Sequence, residues 1–360
     1  MQKTDVKGGR TKRMNRGLSL AAVAVVAIAA VMVLSTGLSS AAAVQSRVTS
    51  ATGAYAKGSI ISTPIEKAKS KAKHFTVGDG PNRAAYDPVS HDMYFPESGA
   101  GQVQVFSAKN KLVGTVSLGS DTFPGAAAFS PVNNDVYVTG EESDAVYVIS
   151  GTTLVDTITS SDFSEPYGIA YDPGDHAIGV ANFGGNDVVW INGEAIIQTS
   201  PAGTEPFGIT YDPYWANVLV TNLGSDNVTC YSALYLDVDG NVAVGDSPTG
   251  IAFDPAVSLD YVANIDSNNV SVISGDCGSD FTITGFDGPD GVGFSQSTLD
   301  MYITNTANGD VNTVYYSSIV HTYTTSSSAD PVDATYDAYN NDVYVGSFGG
   351  SEGTTVYVLA

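Results

Sequence analysis

A unit of about 40 residues recurs along most of the chain, and this recurrence limits the possible folds more than any other feature. Each copy opens on a proline, and successive opening prolines are 40 to 43 residues apart. The opening prolines are Pro81, Pro124, Pro166, Pro206, Pro248, Pro289 and Pro331. Because the units carry strand and turn signals only, a period near 40 residues is typical of the blades of a β-propeller.

Each unit divides into four short segments in which apolar and polar residues alternate, separated by Gly, Asn and Asp. This alternation predicts strands of roughly 4–8 residues joined by tight turns. Representative strands, one for each position in the unit, are predicted at residues 168–172, 217–222, 186–191 and 195–199. The chain is therefore predicted to be all-β, a seven-bladed β-propeller of four-stranded blades. A stacked solenoid is the alternative, and it is disfavoured because only a closed ring removes exposed sheet edges.

The two ends of the repeated region indicate how the ring closes. The seventh unit ends at Ala360 after its third predicted strand. The segment KHFTVGDGP, residues 73–81, resembles the fourth-strand segment DFTITGFDGP of residues 280–289. We expect residues 74–77 to pair with the last strand and complete blade seven, because this pairing satisfies backbone groups of an otherwise open edge. The predicted propeller spans residues 73–360.

The N-terminal region has the pattern of an export signal. Six basic residues precede an uncharged, mostly apolar run at residues 18–38, and small residues follow at 41–43. Residues 1–43 are predicted to be a basic N-region with either a cleaved signal peptide or a retained membrane anchor, because the run is long enough to span a bilayer. Either form places the propeller outside the cytoplasm. Residues 44–72, poor in aromatics, are predicted to be a flexible stalk or linker.

The formal net charge of −23 is unevenly distributed, because no Lys or Arg follows Lys111. A surface this acidic repels nucleic acid and anionic lipid headgroups and attracts cations. We therefore predict no nucleic-acid partner, and membrane contact only through the N-terminal segment. Solubility in a salty or acidic exterior is the simpler explanation of the same charge.

Four second-strand segments share a short motif. They are YVTG at residues 137–140, LVTN at 219–222, YVAN at 261–264 and YITN at 302–305. These segments resemble the YVTN-type β-propeller repeat, which is common in surface-layer-associated and YncE-like extracytoplasmic proteins. The resemblance covers about residues 73–360 and implies the fold, but propellers host binding proteins and many unrelated enzymes. The corresponding segments of two blades differ from this motif: blade one has YFPE at residues 94–97, and blade three has GVAN at 179–182.

In propellers of this kind, two sets of loops share one face around the central channel: those from strand four to the next blade, and those from strand two to strand three. A carboxylate precedes each opening proline, and these seven candidate ligand-binding residues are Asp79, Asp121, Glu165, Glu205, Asp246, Asp287 and Asp330. The other loops add a second set, which is Glu97, Glu141, Glu142, Asp144, Asp187, Asp226, Asp266, Asp310 and Glu352. Arg83 is the one basic residue near them.

Crowded carboxylates repel one another, and a bound hard cation relieves that repulsion. Ca²⁺ takes roughly 6–8 oxygen ligands, which Asp, Glu and backbone carbonyls supply. The candidate metal ligands are Asp226, Asp246, Asp266 and Asp287, and Ca²⁺ is the one cofactor that the sequence suggests. The alternative is that Asp recurs in these loops because it is a good turn residue.

The histidines do not form a predicted site. His91 and His176 are expected in turns on the opposite face, whereas His74 and His321 are expected in fourth strands at the outer rim. A catalytic base or a transition-metal site needs convergent side chains, and these positions diverge.

Two other groups of residues have competing interpretations. Phe123, Tyr167 and Phe207, next to opening prolines, either line the channel or, as we expect, pack between blades. Cys230 is predicted in a buried strand and Cys277 in a loop. Their different places in the repeat argue against a disulfide, although export permits one.

The sequence favours an exported cell-surface propeller that acts as a binding or scaffolding module through its acidic loop face, assisted by Ca²⁺. Its predicted partner is a cell-surface protein or glycan, or a cationic ligand. The alternative is a metal-dependent propeller enzyme of the lyase or lactonase type, with carboxylate ligands at the channel mouth. Binding is favoured because no histidine is predicted at the channel and because the carboxylates are spread evenly over the blades.

Overall fold

Seven sheets stand in a ring around a central channel, as the repeat predicts. The computed structural model describes residues 70–326, 328–348 and 353–359, which belong to one compact unit (Thr63–Ala360). The first strands of neighbouring blades contact each other all the way round, so the first strand of each blade lies innermost and the fourth lies outermost. The prediction of an all-β, seven-bladed propeller is confirmed.

In blades one to six the four strands follow one another along the chain and pair antiparallel from the channel outward. Blades one to three contain β3 (Ala85–Asp87), β4 (Asp92–Glu97), β5 (Gln102–Ser107) and β6 (Leu112–Ser117), then β7 (Pro124–Ser130), β8 (Asp135–Gly140), β9 (Ala145–Ser150) and β10 (Thr153–Thr159), then β11 (Pro166–Asp172), β12 (Ala177–Asn182), β13 (Asp187–Asn192) and β14 (Ala195–Pro201). Blades four to six contain β15 (Pro206–Asp212), β16 (Asn217–Asn222), β17 (Asn227–Ser232) and β18 (Val238–Ala243), then β19 (Pro248–Asp254), β20 (Leu259–Asn264), β21 (Asn269–Ser274) and β22 (Gly278–Thr284), then β23 (Pro289–Ser295), β24 (Asp300–Asn305), β25 (Asp310–Tyr315) and β26 (Ser318–Thr324). A short 3-10 helix, Leu223–Ser225, lies between β16 and β17.

Blade seven combines both ends of the described chain. Its inner strands are β27 (Thr335–Asp337), β28 (Asp342–Ser347) and β29 (Thr355–Leu359), and its outermost strand is β2 (Lys73–Thr76). β2 pairs antiparallel with β29, with Lys73 opposite Val358 and Thr76 opposite Thr355. The predicted closure of the ring by residues 74–77 is therefore observed.

A further strand, β1 (Ser70–Lys71), extends blade six by pairing in parallel with β26. It falls within residues 44–72, where composition suggests a flexible linker and gives no sign of so short a strand. The rest of that linker and residues 1–43, including the apolar run at 18–38, lie outside the described residues. In the described part of the chain, no helix is long and apolar enough to cross a bilayer.

The four strands predicted individually are all present. Residues 217–222 match β16, and residues 186–191 match β13 with a shift of one residue. The predicted strands at 168–172 and 195–199 are each two residues shorter than β11 and β14. The differences concern strand ends only, so the four-stranded unit is unchanged.

The hydrophobic core lies between blades, where the apolar faces of neighbouring sheets meet. We call the boundary between two neighbouring blades a seam. The tyrosine that opens the YVTN-like motif reaches across it. Tyr137 of blade two donates a hydrogen bond to the Gly193 carbonyl of blade three (3.0 Å), and Tyr261 of blade five donates to the Tyr316 carbonyl of blade six (2.7 Å). Both rings are fully buried, so each joins two blades by packing and by a satisfied hydroxyl.

Glycines in the first strands allow neighbouring blades to approach closely at the channel. A Cβ atom at Gly168 of blade three would overlap the Phe207 carbonyl of blade four, and one at Gly208 would overlap the Thr249 carbonyl of blade five. A larger residue at either position would push two first strands apart. These glycines therefore keep the ring narrow.

Cys230 and Cys277 form a disulfide, with their Cα atoms 6.1 Å apart. Cys230 is fully buried in β17, and Cys277 lies in the turn between β21 and β22. Our expectation against a bridge was wrong, because the third strand of blade four faces that turn of blade five across the seam. The bond therefore links two neighbouring blades.

Candidate functional site

The loop face that carries the predicted carboxylates is held together by the asparagine that ends the YVTN-like motif. Asn222 accepts a hydrogen bond from the Gly203 N–H (3.0 Å) in the loop that enters blade four, and its Nδ2 donates to Asn227 Oδ1 (2.6 Å). Asn182 and Asn305 likewise accept a backbone N–H of the loop that enters their own blade. Because these amides are buried and bonded on both sides, they fix the two kinds of loop relative to each other.

The threonine of the motif joins neighbouring blades just inside the loop face. Thr139 Oγ1 accepts the Ala126 N–H of its own blade (3.0 Å) and donates to the Tyr167 carbonyl of the next blade (2.6 Å). Thr221 makes the equivalent pair of bonds between blades four and five. The motif threonine therefore positions Tyr167 and Thr249, the residues that follow the opening prolines of blades three and five.

The seven predicted ligand-binding carboxylates lie in loops at this one end of the ring. Because successive strands run antiparallel, every loop that enters a blade lies on the same face. The exposed members are Asp79, Asp121, Glu165, Asp246 and Asp287, and the half-buried members are Glu205 and Asp330. They form a rim of negative charge spread over all seven blades and not a single cluster.

Several carboxylates of the second set hold the loops in place. Asp144 accepts the Glu165 N–H (2.8 Å), and Asp226 accepts the Ser247 N–H (2.9 Å). Both residues end their turns in the left-handed region, with φ of 48° and 53°. Asp187 accepts a hydrogen bond from Asn182 (2.7 Å). The turn-residue explanation accounts for these positions, and Glu352 lies outside the described residues.

Glu97 differs most from the exposed carboxylate that its loop position suggests. It has no exposed surface and takes the place of the motif asparagine in blade one. Its carboxylate accepts hydrogen bonds from the Gly78 N–H (2.7 Å) and from Gln102 Nε2 (2.6 Å). Burial raises the pKa of Glu97 to about 6, although the two donors act in the opposite direction. Glu97 therefore fixes the closing segment after β2.

Three of the predicted metal ligands surround one serine of the loop face. Asp226 accepts a hydrogen bond from the Ser247 N–H (2.9 Å), and Asp266 accepts one from the Ser247 hydroxyl (2.7 Å). Asp246 precedes that serine in the chain. Asp287 lies in the loop that enters blade six. Within the described ranges, no three His, Cys, Asp or Glu side chains are grouped as a metal site requires. Binding of Ca²⁺ by these residues stays a prediction.

The sevenfold pattern breaks in the channel next to the loop face. Arg83 Nη2 lies 3.1 Å from Asp290 Oδ1, and Nη1 donates to Tyr167 Oη (3.4 Å). Arg83 Cζ lies 4.7 Å from the ring centroid of Phe207, which stacks on Tyr167 at 4.3 Å. The side chains of Arg83 and Asp290 are 13% and 10% exposed, so the ion pair is largely removed from water. We call Arg83, Tyr167, Phe207, Asp290 and Asp333 the channel cluster.

The charges of the channel cluster do not balance. Burial lowers the pKa of Arg83, but Asp290, Tyr167 and Asp333 together more than offset this effect and the pKa is raised. Burial raises the pKa of both carboxyl groups, while Arg83 lowers it. Asp333 also accepts the Ala84 N–H (3.0 Å), which connects blade seven to blade one. One guanidinium therefore interacts with two carboxyl groups from different blades and neutralises at most one of them.

A cavity of about 130 Å³ lies beside this cluster. Arg83 and Asp333 form its charged wall, and Ile169, Ile209 and Val292 are among the aliphatic residues that line the rest. At about 30 Å³ per water, the cavity holds about four water molecules. It is therefore far smaller than the roughly 300–1,000 Å³ of a site for a drug-sized ligand.

The sequence singled out Arg83 but not its carboxyl partners. Asp333 lies two residues after its opening proline, where five of the seven blades have Gly or Ala, whereas Asp290 lies one residue after its proline, where the blades share no residue type. That departure of Asp333 from the repeat was the available signal, and the partners lie too far apart in the chain for a local motif to reveal them.

The three aromatic residues next to opening prolines do not share one role. Tyr167 and Phe207, which we expected to pack between blades, belong to the channel cluster. Phe123 lies apart from them, with its ring centroid 6.2 Å from that of Phe348.

The four histidines lie in four different blades, as predicted. His91 and His176 occupy turns between first and second strands, and each Nδ1 is hydrogen-bonded to a tyrosine hydroxyl of its own blade (3.0 Å). His74 and His321 lie in the fourth strands of their blades, β2 and β26. None of them belongs to the channel cluster.

The fold is shared with solved structures whose sequences are only distantly similar. A streptogramin B lyase superposes with a TM-score of 0.69 at 12% identity, covering 79% of this chain and 96% of that one. A catalytically inactive virginiamycin B lyase from Staphylococcus aureus, bound to quinupristin, gives 0.71 at 14% identity, covering 80% and 98%. Hydrazine synthase from Kuenenia stuttgartiensis gives 0.68 at 16% identity, covering 84% and 99%.

No protein-family model matches the chain, and no curated protein matches it in sequence. At such low identity the three structures establish the seven-bladed propeller fold and carry no activity across to this chain.

Proposed function

We propose that this protein is an exported cell-surface β-propeller that binds through its acidic loop face, either to a cationic partner directly or to a cell-surface protein or glycan through bridging Ca²⁺. The observation that carries the proposal is the environment of Arg83. Arg83 is the one basic residue among the loops of this face, and its guanidinium is buried against Asp290. The exposed carboxylates of the rim therefore have no cation from their own loops to neutralise them.

The chemistry of the rim defines the class of partner. A protein surface rich in Lys and Arg is complementary to the rim directly, and an anionic cell-surface glycan is complementary through bridging Ca²⁺. Such complementarity accelerates association and selects partners, more than it adds affinity. A ring of loops around a channel mouth also offers the concave surface on which binding sites commonly lie.

The YVTN-type assignment is part of the proposal and is supported by the motif residues. Each has a separate bonded role: the tyrosine spans the seam, the threonine joins first strands, and the asparagine holds the loops. Membership of an extracytoplasmic family agrees with the predicted export signal at residues 1–43. The metal-dependent lyase or lactonase remains the alternative function, and the carboxylates of the rim are its candidate ligands.

Calorimetric titration of the purified full chain with Ca²⁺, and separately with hexalysine at low ionic strength, tests the proposal. We expect saturable binding of both probes. The variant Asp246→Asn with Asp287→Asn removes two exposed rim charges. Because an exposed ion pair contributes about 0.2–1 kcal/mol, we expect the affinity to fall by about threefold to tenfold.

The matched control is Asp237→Asn with Asp239→Asn, which removes two exposed charges at the hairpin of blade four on the opposite face. This variant should bind both probes as the unmodified chain does. Equal losses in the two variants would show that binding depends on net charge alone, and the absence of binding would remove the proposed role of the rim. Turnover of a lactone or streptogramin panel that depends on Ca²⁺ would favour the enzyme instead.

A further inference from the structure

Two carboxyl groups from neighbouring blades meet inside the seam between blades four and five. Asp212 is the last residue of β15, and Asp260 is the second residue of β20. Neither has any exposed surface. The Asp212 carboxyl group lies against Gly275 of blade five, and the two carboxyl groups perturb each other's pKa. We call Asp212 and Asp260 the seam pair.

The seam pair has few other partners. Asp212 Oδ1 accepts the N–H groups of Tyr214 (2.7 Å) and Trp215 (3.2 Å). Asp212 Oδ2 and both oxygens of Asp260 receive no hydrogen bond from a donor group among the described residues. Buried carboxylate oxygens without donors are costly, so the two groups must satisfy each other.

No positive charge of these blades neutralises the seam pair. Residues 206–284, which form blades four and five, contain no Lys, Arg or His. The titratable groups that face the pair are the phenol of Tyr211 and two further carboxyl groups, those of Asp254 and Asp276. Two ionised carboxylates in this setting repel each other strongly, and a proton held between them removes the repulsion and supplies the missing donor.

Other contacts join the same two blades nearby. Asn217 Nδ2 donates to the Gly275 carbonyl (2.6 Å), and the Trp215 ring lies against Gly275. The disulfide between Cys230 and Cys277 crosses the same seam further from the channel. The seam can therefore loosen around Asp212 without separating the blades completely.

We propose that a single proton shared by Asp212 and Asp260 locks the seam between blades four and five, and that loss of this proton as the pH rises opens the seam locally while the disulfide retains the blades. The seam is thus a pH-sensitive contact on the side of the ring opposite the acidic loop face. The proposal does not depend on what the loop face binds.

The direction of the effect follows from the burial of the pair. Burial, then the neighbouring carboxylate, raises the pKa of Asp260 well above its usual range, and burial raises the pKa of Asp212. A carboxyl group with a raised pKa in the folded state contributes stability that is complete below its ordinary pKa. That stability is lost as the pH rises through the folded-state pKa.

Hydrogen–deuterium exchange of the full chain, corrected for the intrinsic pH dependence of exchange, tests this proposal. The reporting amides are those of residues 214–216 and 275–278, which flank the seam. We expect exchange at these amides to be at least about tenfold faster at pH 8 than at pH 5, because the opening equilibrium changes by about tenfold for each pH unit over which the closed seam keeps a proton that the open seam releases. Amides of the seam between blades two and three should show no comparable change.

The variant Asp260→Asn supplies a permanent donor to Asp212, so its seam should stay protected at pH 8. Asp212→Asn is the second variant, because Asn keeps the acceptor for the N–H groups of Tyr214 and Trp215. The control Asp237→Asn removes an exposed charge of blade four that does not face the pair and should keep the pH dependence.

Three outcomes would overturn the proposal. The first is equal protection of the seam at both pH values in the unmodified chain. The second is pH-dependent protection that persists in both Asn variants. The third is protection at pH 8 that Ca²⁺ restores, EDTA removes and Asp260→Asn abolishes, because the pair would then hold a metal ion and not a proton.

Discussion

Aspartate recurs at both ends of the strands, and its surroundings differ completely between the two faces of the ring. On the loop face, most carboxylates before the opening prolines are exposed to water. On the opposite face, the aspartates that end the first strands are buried, and each accepts a backbone N–H from the turn that follows. These buried residues are Asp87, Asp172, Asp212, Asp254 and Asp337. The same residue type therefore provides surface charge on one face and turn structure on the other.

The difference shows that the count of carboxylates does not define a site. An exposed carboxylate is hydrated and available to a cation, whereas a buried one is committed to neighbouring donors or to a proton. Some carboxyl groups of the propeller are buried, so a partner does not meet all of its negative charge. Three variants, in order of decreasing expected effect, test this contrast.

The largest effect is expected where a buried carboxylate loses its only cation. Arg83→Met should lower the free energy of unfolding by about 3–5 kcal/mol, because Asp290 is left buried without its ion-pair partner. Urea unfolding followed by tyrosine fluorescence measures the change. The double variant Arg83→Met with Asp290→Asn should recover part of the loss. A loss below about 1 kcal/mol in the single variant would show that water compensates the pair.

A pH effect of intermediate size is expected from Asp254. Burial raises the pKa of Asp254 to about 7, so its contribution to stability is complete below its ordinary pKa and is lost as the pH rises through about 7. The unmodified chain should therefore melt at a higher temperature at pH 5 than at pH 8. The contribution of Asp254 is on the order of 3 kcal/mol. Asp254→Asn, which keeps the acceptor for the Ala256 N–H, should reduce this pH dependence.

The exposed Asp287 is the control for that measurement. Asp287→Asn should leave the difference in melting temperature between pH 5 and pH 8 unchanged. If both variants reduced the difference equally, overall charge and not burial would govern the pH dependence.

The smallest change in stability is expected from a comparison of two carboxylates of the loop face, one buried and one exposed. Glu97→Ala should cost about 1–3 kcal/mol, because the Gly78 N–H and Gln102 lose a buried acceptor. Asp79→Ala, one residue after Gly78 and exposed, should change stability by less than about 0.5 kcal/mol. Thermal unfolding of both variants at pH 7.5 makes the comparison. Similar costs would mean that position in the loop, and not burial, determines the role.

The repeat was sufficient to predict the fold because each blade is specified locally. Strand alternation, the opening proline and the tight turns all lie within about 40 residues. One repeat unit therefore contains the signals that specify a blade, and the number of units predicts the number of blades. The closing strand was predictable for the same reason, since residues 73–81 resemble another fourth-strand segment.

The channel cluster and the seam pair could not be predicted in this way. Arg83 and Asp290 are 207 positions apart in the chain and meet only because the ring closes. Asp212 and Asp260 occupy different positions in their repeats, as do Cys230 and Cys277. Contacts across a seam depend on how neighbouring sheets are stacked, and the repeat period alone does not contain that information.

The pairing of β2 with β29 also determines the order in which the molecule can assemble. Lys73 and Val358 are about 285 residues apart, and bringing two such distant positions together costs about 5 kcal/mol in chain entropy on a simple logarithmic scale. Blades one to six hold their own four strands and can form as the chain is synthesised, but blade seven must wait for its last strand. The ring therefore stays open until β29 has been synthesised, and a chain that lacked β29 would leave β2 and β28 without a partner strand between them.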